Sequence, residues 1–173
     1  ALNEKIDSYK RAIAIYPERT DAYMCMLEAY EDEGRFGKEE NDEFLALYNA
    51  NKDTFDHTTS EVAELNYKIG MMYFNYYTEE DGSYTRVQKA YSFFAENHNN
   101  AEIPQDFEDM NLSECYYQIC SFYKNYILNG ATVEEASRDN YENLFSTIEN
   151  TLADVQSAGA YNQLSLYNGI FML

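Results

Sequence analysis

The chain has 173 residues, 45% of them hydrophobic, and 12 basic against 31 acidic side chains give it a net charge of −19. That length and apolar content are enough for a sizeable core. The acidity repels phosphate backbones and anionic headgroups, which argues against nucleic acid and polybasic membrane docking, and no apolar run is long enough to span a bilayer.

With 7 glycines and 2 prolines as punctuation, and apolar residues at helical rather than alternating spacing, the chain reads as all-α. Residues 2 to 16 form a first helix that ends at Pro17, which cannot continue it. Asp21 to Glu33 follows and is stopped by Gly34, which suits a left-handed C-terminal position. A third helix runs from Gly37 to Asn49, and the polar stretch "NANKDTFDHT" links it to the next. Thr58 and Glu61 have the spacing of a capping box and open a helix over 59 to 78. The loop "TEEDGS" precedes a helix over 83 to 97, and "NHNNAEIP" makes the next break. A long helix over 106 to 129 ends at Gly130, Thr132 with Glu135 caps another that reaches 157, and a last one begins after Gly159. The count is about eight helices.

Self-similarity organises these helices. At an offset of fifty residues, Glu64, Tyr67, Ile69, Tyr73, Asn75 and Tyr76 recur as Glu114, Tyr117, Ile119, Tyr123, Asn125 and Tyr126, and Gly70 is matched by the small Cys120. Met26, Leu27 and Tyr30 join the series where Ile69, Gly70 and Tyr73 stand. Such reuse signals stacked units, because a helical hairpin cannot bury its apolar face alone.

On these residues the chain resembles the tetratricopeptide repeat (TPR) family, whose unit is a helical hairpin of about 34 residues. Tyr9, Ala12 and Pro17 resemble the end of one unit; Tyr23, Met26, Tyr30, Phe36 and Ala46 resemble the next. Leu27 and Glu39 depart from the pattern at positions where small residues are usual, and the later units are longer. The resemblance implies a TPR-like α-solenoid of antiparallel hairpins with degenerate, elongated repeats, in units over roughly 1–17, 20–50, 59–98, 106–157 and 160–173. Tyr30, Tyr73 and Tyr123 are expected to span the seams between helices with their hydroxyls near water or a carbonyl. Gly70 and Cys120 are expected to admit a facing helix.

The resemblance also implies a concave groove lined by the first helix of each pair. Its candidate lining is Met24, Glu28 and Asp32, then Tyr67, Met71 and Asn75, then Tyr117, Ser121 and Asn125. Each trio has i, i+4, i+8 spacing, which places it on one helix face. Asparagine can bond both donors and acceptors of an extended backbone, and a tyrosine beside it offers a flat contact; packing aromatics and helix-end solvation are the plainer roles. Family members that bind acidic tails use cationic clamps. Here Met24, Glu28, Lys68, Glu114 and Gln118 occupy those positions, so a neutral or basic protein segment is the expected partner.

Catalysis has little foothold. His57 and His98 lie in polar links, no nucleophile motif or phosphate loop occurs, and no cofactor is implied. Cys25, Cys115 and Cys120 lack zinc or disulfide spacing and read as small buried side chains. Aligning Gly82 with an EF-hand puts Tyr77 and Gln88 at ligand positions, so no calcium site is expected. Pairs such as Glu39 and Glu40 read as solvated helix starts.

The start inside a helix without Met and the apolar close "YNGIFML" suggest a piece of a longer protein. The half-unit, "AELNYKIGMMYFNYY" and the closing "LSLYNGIFML" resemble the region C-terminal to the kinase domain of some bacterial serine/threonine kinases. That resemblance implies a regulatory extension, in the cytoplasm or beyond a membrane anchor of the parent. Two functions of different class follow: a non-catalytic peptide-binding scaffold or sensor using the groove, and a structural or self-assembly element packing through helices 2 to 16 and 160 to 173. Uncovered apolar residues at those ends would favour the second.

Overall fold

The computed structural model describes residues 2–77 and 83–97, together with Asn111, Glu114, Cys115 and Gln118. The chain divides into two compact units, Ala1–Glu108 and Asp109–Leu173. The first contains five described α-helices: α1 (Leu2–Ile15), α2 (Thr20–Asp32), α3 (Lys38–Asn51), α4 (Ser60–Tyr76) and α5 (Ser83–Glu96), with a 3-10 turn at Lys52–Thr54. No strand occurs among the described residues. In the second unit the four described residues are helical, within the helix expected over 106 to 129, and Gln118 Nε2 donates to Glu114 Oε1 at 2.8 Å. The rest of that helix, those expected over 132 to 157 and after 159, and Tyr117, Ser121, Tyr123 and Asn125 lie outside the described residues.

Each helix end has a local cause. Tyr23 Oη donates to the Pro17 carbonyl at 3.1 Å, tying the turn after α1 back onto α2. At the far end of α2, Gly34 takes φ +61°. Arg35 N bonds Tyr30 O at 2.8 Å and Gly34 N bonds Glu31 O at 2.9 Å, the paired closure that a left-handed residue permits. Gly37 precedes α3, and Glu40 Oε2 accepts from its N–H at 3.1 Å.

The capping box expected at Thr58 is not formed. Thr59 is the N-cap of α4 and makes no side-chain cap. The Thr58 hydroxyl instead donates to Asp56 Oδ1 at 2.6 Å, and Thr59 Oγ1 donates to the Asp56 carbonyl at 2.8 Å. An aspartate-centred turn has taken the hydroxyls that a box would use.

Helix α2 lies between α1 and α4, and α4 packs against α5. The core is aromatic. Tyr23 meets Phe55 edge-on at 5.4 Å, Phe36 meets Tyr73 at 5.5 Å, and Tyr73 stacks on Phe93 at 5.7 Å. Between α4 and α5 the spacing depends on one residue: a Cβ on Gly70 would stand 2.5 Å from the Phe94 ring. The close approach expected of Gly70 is present.

Of the expected seam tyrosines, Tyr30 and Tyr73 are among the described residues and are buried, and their hydroxyls bond side chains of α3. Tyr30 Oη donates to Glu43 Oε2 at 2.8 Å, and Tyr73 Oη donates to Asn41. A second polar chain runs through the core. Tyr48 Oη donates to Asn66 Oδ1 at 2.8 Å, Asn66 Nδ2 to Asn97 Oδ1 at 3.4 Å, and Asn97 Nδ2 to the Ala63 carbonyl at 2.7 Å. Helix α3 therefore buries Asn41, Phe44 and Tyr48, while Glu39 and Ala46, the positions the repeat pattern singles out, are exposed.

Candidate functional site

Helix α2 turns Tyr23, Met26, Leu27, Ala29 and Tyr30 inward. By helical geometry the row Met24, Glu28 and Asp32 falls on the opposite side; Met24 is half-buried and the two carboxylates are exposed. Helix α4 buries Val62, Ala63, Leu65, Asn66, Ile69, Gly70, Met72 and Tyr73. Its row of Tyr67, Met71 and Asn75 is likewise turned outward, from half-buried Tyr67 and Met71 to exposed Asn75.

The two helices meet at Glu31, which pairs with Lys68. That contact, with the Tyr76 hydroxyl, holds the Glu31 carboxyl below its ordinary range against burial; the Lys68 hydrogen bond has the largest effect. Tyr76 is shifted up in turn, first by its bond to Glu31. On each helix the seam residue, Glu31 or Lys68, lies between the buried side and the outer row. The rows on α2 and α4 thus border one face, with the ion pair between them.

Two details differ from an open groove. The Tyr67 ring lies 5.8 Å from Phe94 of α5, which makes it partly a packing residue. Lys68, the cation at this seam, is already engaged by Glu31. The face is left with the exposed carboxylates of Glu28, Asp32 and Glu64 beside half-buried Met24 and Met71.

Other chemistry is sparse among the described residues. His57 is exposed, its Nε2 3.0 Å from the Lys52 carbonyl. No group of three or more His, Cys, Asp or Glu among them could hold a metal ion, and no helix among them is long and apolar enough to cross a membrane. Cys115 is buried, whereas Cys25 is only half-buried; burial and then Glu28 push its thiol pKa up.

Two cavities among the described residues flank α1, and neither is lined by an outer-row residue. One of about 350 Å³ opens between α1 and α3. Another, of about 250 Å³, lies between α1 and α2 and is lined by Tyr9, Ala12, Tyr16, Ala22 and Cys25 with Arg19 and Asp21 at its rim. Beside the second, Ile15 is 67% and Tyr16 56% exposed. Sequence reasoning did not single out the Glu31 and Lys68 seam or the asparagines at 41, 66 and 97. A polar residue inside an apolar helical row was the available signal for the asparagines. No protein-family model matches the chain, nor does any curated protein or solved structure.

Proposed function

We propose that this chain is a non-catalytic protein- or peptide-binding scaffold, a TPR-like solenoid that receives a neutral or basic segment on the outer face of α2 and α4. The observation that carries this reading is the side-by-side seam of α2 and α4 at Glu31 and Lys68, with α3 bonded to both helices by Glu43, Asn41 and Tyr48. Successive first helices bordering one surface, with second helices packed between them, is the arrangement that stacked hairpins produce. The regulatory setting, as an extension of a bacterial kinase, is carried by the sequence resemblance alone.

Met24→Ser with Met71→Ser tests the reading more cleanly than substitution of Tyr67, which also packs on Phe94. A protein or peptide captured by the wild type and lost from this pair, with helical content unchanged, supports the outer face. Capture that survives the pair defeats it. A second reading, assembly through α1, is favoured by exposed Ile15 and Tyr16 beside an apolar cleft. It expects concentration-dependent self-association that Ile15→Ser with Tyr16→Ser abolishes, as measured by sedimentation.

A further inference from the structure

The cleft between α1 and α2 is largely apolar, with Tyr9, Ala12 and Tyr16 on one wall and Ala22 and Cys25 on the other. Three large hydrophobic side chains are exposed among the described residues, and two of them, Ile15 and Tyr16, are neighbours beside this cleft. Tyr16 continues the helical row of α1, since its N–H still bonds the Ala12 carbonyl at 2.9 Å.

Each wall extends beyond the cleft as a row on one helix face. Along α1 the row is Lys5, Tyr9, Ala12 and Tyr16, and along α2 it is Asp21, Cys25, Glu28 and Asp32. The two helices differ in charge. Helix α1 carries Lys5, Lys10 and Arg11 against Glu4 and Asp7, whereas α2 carries Asp21, Glu28, Glu31 and Asp32 and no cation. Lys5, Glu28 and Asp32 are exposed at the ends of their rows. After burial, Glu28 and Asp21 are what raise the Cys25 thiol pKa, which sets both carboxylates beside the cleft.

We propose that a second copy of this chain covers the cleft, in a two-fold dimer that lays α1 of each copy over α2 of the other. A two-fold contact presents one patch from both sides, so the patch must be complementary to itself. This one is: one half offers exposed Ile15 and Tyr16 with a cation, and the other half offers an apolar cleft edged by carboxylates. The short link from Tyr16 to Arg19 makes α1 and α2 antiparallel neighbours. A two-fold axis along the cleft therefore brings Lys5 of each copy toward the partner's Asp32, and Tyr16 toward the partner's cleft, in a four-helix arrangement. The inference rests on the reading of assembly through α1, and adds to it a stoichiometry of two and the surface that α1 meets.

The test is sedimentation of the full chain over a range of concentrations at about 0.15 M ionic strength, where a screening length of about 8 Å damps repulsion between two acidic chains. The expected result is a monomer–dimer equilibrium with no larger species. Lys5→Glu and Asp32→Lys, each alone, should raise the dimer Kd roughly tenfold, because every substitution enters a two-fold contact twice, and the two together should return it to within about threefold of wild type. Both residues are exposed, so helical circular dichroism should be unchanged in all three variants. A dimer that Ile15→Ser with Tyr16→Ser abolishes but the charge reversals leave untouched, or that their combination fails to restore, overturns the pairing of α1 with α2 and leaves assembly through α1 standing. A chain that is monomeric at every concentration overturns both, and species that grow beyond the dimer overturn the two-fold arrangement. Met24 and Met71 do not line this cleft, so loss of the outer-face reading would not remove the dimer.

Discussion

Helix α4 is held on two sides by opposite means. Toward α5 the contact is apolar and close, a phenyl ring seated on the one residue without a side chain. Toward α3 the contact is polar and directional, with Tyr73 bonded to Asn41 and Tyr48 to Asn66. The first side resists added volume because close-packed interiors have nowhere to put it. The second resists loss of a partner, because a buried donor or acceptor without one carries its full desolvation cost. The two sides should therefore fail under different substitutions.

The largest effect is expected on the close side. Gly70→Val should destabilise the chain by about 3 kcal/mol through overpacking against Phe94. Gly70→Ala should cost less, about 1–2 kcal/mol, because the helix gains nearly 1 kcal/mol from replacing glycine. Phe94→Leu, destabilising alone, should recover part of the Gly70→Ala loss when the two are combined. Strict additivity in denaturant unfolding would mean that the ring does not set the spacing.

On the polar side, Asn66→Leu strands the Tyr48 hydroxyl and one group of Asn97, with an expected cost of about 2–3 kcal/mol. Adding Tyr48→Phe should cost little further, since it removes a group already orphaned. A double variant as unstable as the sum of its parts would break the account of a shared network.

The α2–α4 seam should matter less, because it is partly exposed. Lys68→Met is expected to cost at most about 1 kcal/mol at neutral pH. The pH dependence has a definite sign. The Glu31 carboxyl is lowered in the folded chain, so its contribution is present above the ordinary carboxylate pKa of about 4.3 and is lost as pH falls through the lowered value. The gap between wild type and Lys68→Met should close in acid; a gap that persists there would assign the effect to packing of the lysine stem. Smallest of all, Glu28→Gln with Asp32→Asn should leave stability within about 0.5 kcal/mol, as exposed positions do.

Much of the helical layout was legible beforehand because its signals are local. Pro17, Gly34 and the apolar spacing set three boundaries to within a residue or two, and Gly70 announced a close approach by its match to the small Cys120. Thr58 misled, since a capping box and an aspartate turn compete for one hydroxyl and sequence spacing does not say which wins. The register of α3 was obscured for a related reason. Ala46 fits a repeat pattern, but Phe44 is the residue that reaches the Tyr23 ring, 6.4 Å away.

Among candidate sites, the rows at Met24, Glu28 and Asp32 and at Tyr67, Met71 and Asn75 could be grouped from i, i+4 spacing alone. That α2 and α4 set those rows beside one seam could not. Periodicity and breakers determine which residues of a helix face inward, because those follow from one helix's own geometry. Which helices become neighbours, and hence which carboxylate finds a lysine and which is left open to solvent, is decided by packing between segments distant in the chain. The amide of Asn66 shows the division: its spelling marks it as polar in an apolar row, and only the folded core supplies the hydroxyl and the second amide that make it tolerable there.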